Sequence, residues 1–224
     1  QMLERALVSP GISTAEWDMR IPARDLNPCE VRRRMLHMLP GFFPCLLWLI
    51  PHPDPWGPYL VGAVLATFAV VCSSSLLQFA AFAREGEANG RGSILGYAIP
   101  ILAAVFLFRG REELVLMTLV ILAFGDGSAT LGGMKLGGRR LPWNRKKTLT
   151  GIVCFVGIGG PLASLAFWGE CRPGISLPLA FVCGMGATLT AAIAESIPTK
   201  GNDNLRVGVT ALLMGALLER LVVG

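Results

Sequence analysis

Residues 124–151 have the sequence FGDGSATLGGMKLGGRRLPWNRKKTLTG, and this stretch decides the fold because it separates two apolar runs. It contains seven glycines, six lysines and arginines, and a single acid, Asp126. Glycine lets the backbone approach a ligand closely and adopt left-handed turns that a side chain would oppose. Because phosphate is bound by basic side chains and free backbone N–H groups, the stretch predicts a phosphate-binding segment beside a membrane span.

The composition is that of an integral membrane protein. Hydrophobic residues make up 53% of the 224 residues and charged residues 16%, with a mean hydropathy of +0.57. Apolar runs predict about seven spans, since one crossing needs ~20 residues. The runs are 35–50, 58–83, 93–108, 114–125, 149–168, 175–194 and 205–223. We therefore expect an all-α, polytopic fold with one transmembrane domain, 35–224, after an interfacial or cytoplasmic segment, 1–34.

The distribution of positive charge predicts the orientation in the membrane. With seven spans, the side that carries the N-terminal segment and residues 126–148 holds 15 of the 20 lysines and arginines. The opposite side holds four, namely Arg109, Arg111, Arg172 and Arg220. Positive residues concentrate in cytoplasmic loops, so the N-terminus and the loop 126–148 are predicted to be cytoplasmic. The polar first 34 residues lack the apolar core of a cleavable signal, and none is expected.

Two questions about the central stretch stay open at this level. Its basic residues could serve only to set topology and to contact anionic headgroups. The apolar run before Asp126 is also short, about a dozen residues against the ~20 that a crossing needs. Either the helix continues through Ser128 to Leu131, or Asp126 lies at headgroup depth. Both alternatives place the carboxylate near lipid.

The spacing of the central stretch resembles the nucleotide-binding signature of the polyprenol kinase family. This family includes dolichol kinases, phytol kinases and CTP-dependent diacylglycerol kinases. The matching pattern is Asp126-x-x-Ala129-x-x-x-Gly133-x-x-x-Gly137, then Lys146-Lys147-Thr148-x-Thr150-Gly151. Thr150 stands where the family usually has glutamate, which favours the phytol-kinase-like branch over the dolichol branch.

The resemblance implies that the loop 126–148 and the start of the following span bind a nucleotide. The candidate nucleotide-binding residues are Gly127, Ala129, Gly133, Gly137, Arg139, Arg140, Lys146, Lys147, Thr148 and Gly151. No Walker sequence, protein-kinase glycine loop, GxSxG or HExxH motif is present, so soluble kinase folds are poor guides.

Two more segments resemble the same family. Near the end of the chain, Glu195-Ser-Ile-Pro198 and Asp203-Asn204-Leu205 match a pattern of an acid, a proline and Asp-Asn-Leu before the last span. Near the beginning, Glu30-x-x-Arg33-Arg34-x-x-His37-x-x-x-Gly41 matches the family's N-terminal motif, with Arg34 where lysine is common. The three matches occur in the family's order, which strengthens the resemblance.

Three carboxylates, Asp126, Glu195 and Asp203, are predicted at cytoplasmic ends of spans. Magnesium in phosphoryl transfer is held by carboxylates together with nucleotide phosphates, so these acids are the candidate metal ligands. A helix cap or a solvated loop acid is the plainer alternative for Glu195 and Asp203. His37, one turn inside a span, could accept the proton of a lipid hydroxyl, bind phosphate, or be hydrogen-bonded at the interface.

Taken together, the resemblance implies a CTP-dependent lipid-alcohol kinase. It would transfer the γ-phosphate to the hydroxyl of a membrane isoprenoid alcohol, such as phytol, farnesol or a polyprenol, or of diacylglycerol. His37, Asp126 and Lys147 are the candidate catalytic residues, with Mg²⁺ as cofactor. Arg34, Arg84, Tyr97 and Asn204 are candidate substrate or phosphate contacts. The expected partners are CTP, the lipid alcohol and membrane lipids, and no nucleic acid is expected.

Two rival functions remain. A cytidylyltransferase similar to the CDP-diacylglycerol synthases would also combine CTP with an acidic, metal-binding cytoplasmic end, but it would release pyrophosphate. A transporter or channel would use its polar residues to line a path and would turn over no nucleotide.

Overall fold

A computed structural model describes residues 20–49, 59–60, 62–64, 91–171 and 174–222. The elements, in chain order, are β1 (Arg20–Ile21), α1 (Pro28–Met38), a 3₁₀ turn (Leu39–Phe42), α2 (Phe43–Leu49), α3 (Arg91–Leu107), α4 (Glu112–Val120), a first π turn (Ile121–Gly125), α5 (Asp126–Leu136), β2 (Gly138–Arg139), α6 (Leu149–Cys154), a second π turn (Phe155–Gly159), α7 (Gly160–Cys171), α8 (Leu177–Ser196) and α9 (Asp203–Val222).

The chain is mainly helical, and its apolar helices fit a membrane protein. In the described part, the helical segments Glu112–Leu136, Leu149–Cys171 and Leu177–Ser196 are long and apolar enough to cross a membrane, and Gly92–Leu107 is a shorter apolar helix. The first predicted run, 35–50, is divided, because Pro40 lacks an N–H group and a 3₁₀ turn separates α1 from α2. Most of the second run, 58–83, lies outside the described residues.

The central helix forms the core. It comprises α4, the first π turn and α5, and 83% of its most apolar stretch is buried. Residues 126–136 continue the helix, which confirms the first of the two alternatives for Asp126 and leaves only the later part of 126–148 as a loop. Glycine has low helix propensity, but here close packing compensates for it. A Cβ on Gly132 would lie 2.4 Å from Cys154 Sγ, so α5 and α6 can approach only because this side chain is absent.

A short antiparallel pair of strands qualifies the all-α prediction. Arg20 pairs with Arg139 and Ile21 pairs with Gly138, so the N-terminal segment is hydrogen-bonded to the loop that follows α5. Gly137 begins this loop with a φ of +63°, a backbone conformation that L side chains rarely adopt. In the described part of the segment 1–34, this strand precedes α1, which begins at Pro28.

The two π turns pack against each other in the middle of the bundle. A Cβ on Gly159 would lie 2.9 Å from Gly125 Cα, which leaves no room for a methyl group between the two backbones. A Cβ on Gly157 would meet nothing within 4 Å. Two glycines of one turn thus have different environments, one at a helix crossing and one open.

We expect Gly159→Ala to lower the free energy of unfolding by about 1–3 kcal/mol, because the added methyl group overpacks the crossing. Gly157→Ala is the matched control, since it adds the same methyl group in open space. Thermal unfolding of both variants in detergent measures the difference. Equal melting temperatures for the two variants would contradict this description of the crossing.

Candidate functional site

A strongly basic cavity of about 680 Å³ opens beside α5, the last part of the central helix. Its walls come from the segment after β1, from α1, α5, α6 and α8, and from the loop 140–148. Six lysines and arginines line it, namely Arg24, Arg34, Arg140, Arg145, Lys146 and Lys147, against one acid, Glu195. Such an excess of positive charge suits a ligand with several negative charges, such as a nucleotide triphosphate.

The loop 140–148 is closed on itself and fixed to the end of α8. The Leu141 amide donates a hydrogen bond to the Lys147 carbonyl at 3.0 Å, which joins the two ends of the loop. Trp143 Nε1 donates to Ser196 Oγ at 3.0 Å, and Asn144 Nδ2 donates to the Ser196 carbonyl at 2.9 Å. These bonds hold the lysines of the loop over the cavity.

Thr148 is the N-cap residue of α6, and its side chain lies next to two glycines of the motif. Its Oγ1 accepts a hydrogen bond from the Gly151 amide at 3.1 Å, which caps the helix. A Cβ on Gly133 would lie 3.0 Å from the same Oγ1, and a Cβ on Gly151 would lie 3.1 Å from the Ala129 carbonyl oxygen. These small residues therefore bring α5 and α6 together and shape the cavity floor.

Asp126 is a buried acid held by a cation from α1. Only 4% of it is exposed, and its Oδ2 accepts a hydrogen bond from Arg34 Nη1 at 2.7 Å. His37 Nε2 lies 3.4 Å from the same oxygen and 3.2 Å from the Leu122 carbonyl oxygen. A carbonyl can only accept, so the hydrogen bond to Leu122 requires the proton on Nε2. Proton acceptance by His37 would then use its other nitrogen.

Glu30 holds the other side of the Arg34 guanidinium. Arg34 Nε donates to Glu30 Oε1 at 3.0 Å, and Arg33 Nη2 donates to the same oxygen at 2.7 Å. Burial raises the pKa of Glu30, but hydrogen bonds from Arg33 and Arg34 outweigh it and hold this pKa below its ordinary value. Glu30 therefore stays ionised at neutral pH and fixes Arg34 toward Asp126.

The three predicted metal ligands do not form one cluster. Glu195 is 5% exposed and forms an ion pair with Lys147, whereas Asp203 accepts a hydrogen bond from Arg206 at 2.9 Å. In the described ranges, no group of three His, Cys, Asp or Glu side chains is placed to hold a metal ion. Asp126 and Asp203 both lie close enough to Glu195 for their charges to interact with it.

Seven of the ten predicted nucleotide-binding residues line the cavity: Ala129, Gly133, Arg140, Lys146, Lys147, Thr148 and Gly151. The other three lie elsewhere. Gly127 packs against Met38, since a Cβ there would lie 2.5 Å from Met38 Cγ. Gly137 packs against the backbone of Ile21, and Arg139 is exposed on β2.

The predicted substrate contacts also include some residues that line the cavity and some that do not. Arg34 lines the cavity, and Arg84 lies outside the described residues. Tyr97 is buried, and its ring packs edge-on against the His37 ring, with centroids 4.9 Å apart. This contact helps to position the His37 ring. Asn204 Nδ2 donates to the Ser93 carbonyl at 3.1 Å, which ties α9 to α3 away from the cavity.

Sequence reasoning missed several residues of the cavity wall, among them Arg24, Arg145 and Ser196. Arg145 stands directly before the two lysines of the motif, so its basic neighbours were a usable signal. No local sequence signal marked Arg24, because Arg24 reaches the cavity through the pairing of β1 with β2.

The chain is similar along most of its length to proteins named as phytol kinases. It is 24% identical to probable phytol kinase 2, chloroplastic, of Oryza sativa subsp. japonica, over 96% of this chain and 76% of that protein. It is 26% identical to the phytol kinase of Synechocystis sp. over 91% of this chain and 84% of that protein. It is 28% identical to the chloroplastic farnesol kinase of Arabidopsis thaliana, over 55% of this chain and 42% of that protein.

No family model and no solved structure matches the chain. The relatives nevertheless confirm the resemblance to phytol-kinase-like members of the polyprenol kinase family, because the similarity extends over most of the chain.

We expect Arg34→Gln to lower the free energy of unfolding by about 3 kcal/mol or more, because it removes the guanidinium partner of a buried carboxylate. Arg33→Gln is the control, since it breaks only a partly exposed pair with Glu30 and should cost about 1 kcal/mol or less. Denaturant or thermal unfolding in detergent compares them. The double variant Arg34→Gln/Asp126→Asn should recover part of the loss, and a purely additive result would contradict direct coupling.

Proposed function

We propose that this protein is a CTP-dependent lipid-alcohol kinase that phosphorylates a membrane isoprenoid alcohol of the phytol or farnesol class. One observation carries the proposal: a cavity lined by six cations adjoins the buried Asp126–Arg34 pair, in a chain similar to phytol and farnesol kinases. Phosphoryl transfer depends mainly on positioning and on positive charge around the transferred group.

The basic residues of the loop 140–148 would hold the triphosphate. Lys146 and Lys147 stand at the beginning of the helix 149–171, where free backbone N–H groups also favour negative charge. Arg140 Nε is buried and has no hydrogen-bond partner among the described residues, so it can donate to a phosphate oxygen. Arg145 and Lys147 would complete the contacts around the phosphates.

Two carboxylates fit a magnesium ion better than three. Magnesium in nucleotide sites is bound by one or two carboxylates and takes its other ligands from phosphates and water. Glu195, in the cavity wall, and Asp126, whose partner Arg34 lines the same cavity, would be these two, whereas Asp203 is engaged by Arg206. When bound, the ion would neutralise charge on the phosphates.

The lipid hydroxyl would approach Asp126, at the beginning of α5. The oxygen of the lipid hydroxyl forms the new bond to the γ-phosphorus. The bond from that phosphorus to the bridging oxygen breaks, and the nucleotide diphosphate leaves. The hydroxyl proton would pass to the Asp126 carboxylate or to His37, whose ring lies 3.4 Å from Asp126 Oδ2. Arg34 and Glu30 would keep this acceptor in place.

The distribution of charge supports a cytoplasmic position for the cavity. Its basic loop and the basic N-terminal segment lie on the side that the positive-inside rule assigns to the cytoplasm. Nucleotide and lipid alcohol would meet there, one arriving from solution and the other from the membrane.

Incubation of the purified protein with γ-labelled CTP, magnesium and a panel of alcohols tests the proposal. Phytol, farnesol, geranylgeraniol and diacylglycerol should be offered separately, with γ-labelled ATP for comparison. Label in the lipid supports the kinase and identifies the acceptor. Label in pyrophosphate would instead support a cytidylyltransferase, and no turnover with any nucleotide would contradict the proposal and favour a transporter or channel.

We expect Lys147→Gln to reduce kcat/KM for phosphoryl transfer by about 100-fold or more, because it removes a fixed positive charge at the phosphates. Lys135→Gln is the control, since Lys135 is exposed near the end of α5 and does not line the cavity. Thermal unfolding of each variant separates this effect from loss of folding. Equal activity of the two variants would show that Lys147 does not contact the transferred group.

A further inference from the structure

We propose that residues 20–24 form a strap along the wall of the basic cavity, and that Arg24 of this strap is a further phosphate-binding residue. The proposal rests on the proposed function, since it assigns a new residue to the same nucleotide site. It adds a binding group from a segment that lies before the first apolar run.

The strap is attached to the site at both ends. At its beginning, Arg20–Ile21 pairs with Gly138–Arg139 in an antiparallel ladder. At its end, the Arg24 amide donates a hydrogen bond to the Met134 carbonyl at 3.0 Å. Ile21 and Arg24 both line the cavity, so the strap forms part of its wall.

Gly137 makes this attachment possible. Its φ is +63°, and a Cβ at this position would lie 2.4 Å from the Ile21 carbonyl oxygen and 2.7 Å from the Ala23 nitrogen. These neighbours are backbone atoms, which cannot turn aside as a flexible side chain could. Gly137 therefore serves the cavity indirectly, because it lets the strap lie against the end of α5.

The charge of Arg24 is available to a ligand. Two other cations of the cavity already have acidic partners, since Arg34 pairs with Asp126 and Lys147 pairs with Glu195. Arg24 has no acidic partner among the residues that the structure describes, although it lines the same cavity. An exposed guanidinium beside an anion-binding cavity can form a bidentate hydrogen bond with phosphate.

Arg24→Gln and Arg20→Gln form a matched pair for testing this role. Both remove one arginine from the strap, but Arg20 does not line the cavity. Calorimetric titration of each purified full-length variant with CTP and magnesium should show a Kd about tenfold weaker for Arg24→Gln, because a charge-assisted hydrogen bond is lost. Arg20→Gln should stay within about twofold of the unmodified protein, since exposed charges contribute little.

Failure of the strap and failure of the proposed function give different results. If the unmodified protein does not bind CTP, the proposed function is overturned, and the proposed role of Arg24 is overturned as well. If it binds CTP and the two variants bind equally well, Arg24 is not a phosphate ligand, and the kinase proposal is unaffected.

Hydrogen exchange gives a second readout that does not depend on the Arg24 side chain. CTP with magnesium should slow exchange of the Arg24 amide in the unmodified protein, because a strap held by phosphate opens less often. Gly137→Ala should raise exchange at this amide and weaken CTP binding, since the added methyl group displaces the strap. Exchange that is unchanged by CTP would overturn the strap proposal.

Discussion

The ion pair between Arg34 and Asp126 is the interaction on which the site depends. A carboxylate that is 4% exposed in an apolar bundle is costly unless a cation and hydrogen bonds compensate it. Arg34 supplies that compensation from α1, and Glu30 holds its other side. The pair therefore fixes α1 against the beginning of α5, and the pairing of β1 with β2 holds the segment before α1 at the cavity.

Close helix packing gives the cavity its shape. Ala129, Gly133 and Gly151 let α5 approach α6, while Gly125 and Gly159 let the two π turns meet deeper in the bundle. Without a hydrophobic driving force between helices in lipid, small residues are the usual means of such close association. The glycines of the central motif thus act mainly by leaving room for close packing, and only some of them face the cavity.

The balance of charge explains why the cavity suits a polyanion. Each acid close to it is paired with a cation, Asp126 with Arg34 and Glu195 with Lys147. Among the described residues that line the cavity, six cations stand against one acid, which gives the wall a net positive charge. A ligand with several negative charges would compete with Glu195 for Lys147 and would free that carboxylate for a metal ion.

The sequence by itself determined the class of fold and the chemistry of the loop. Long apolar runs predicted membrane helices, and the adjacent Lys146, Lys147 and Thr148 predicted a phosphate site, because both signals are local in the chain. Only the tertiary structure decided which residues meet. Arg139 and Arg140 are neighbours, yet Arg140 lines the cavity and Arg139 is exposed, since successive residues of an extended segment point to opposite sides. Asp203 forms an ion pair with Arg206 of the same helix. Arg24 joins the site because β1 pairs with β2, and strand pairing connects segments that are distant in sequence, which no local pattern encodes.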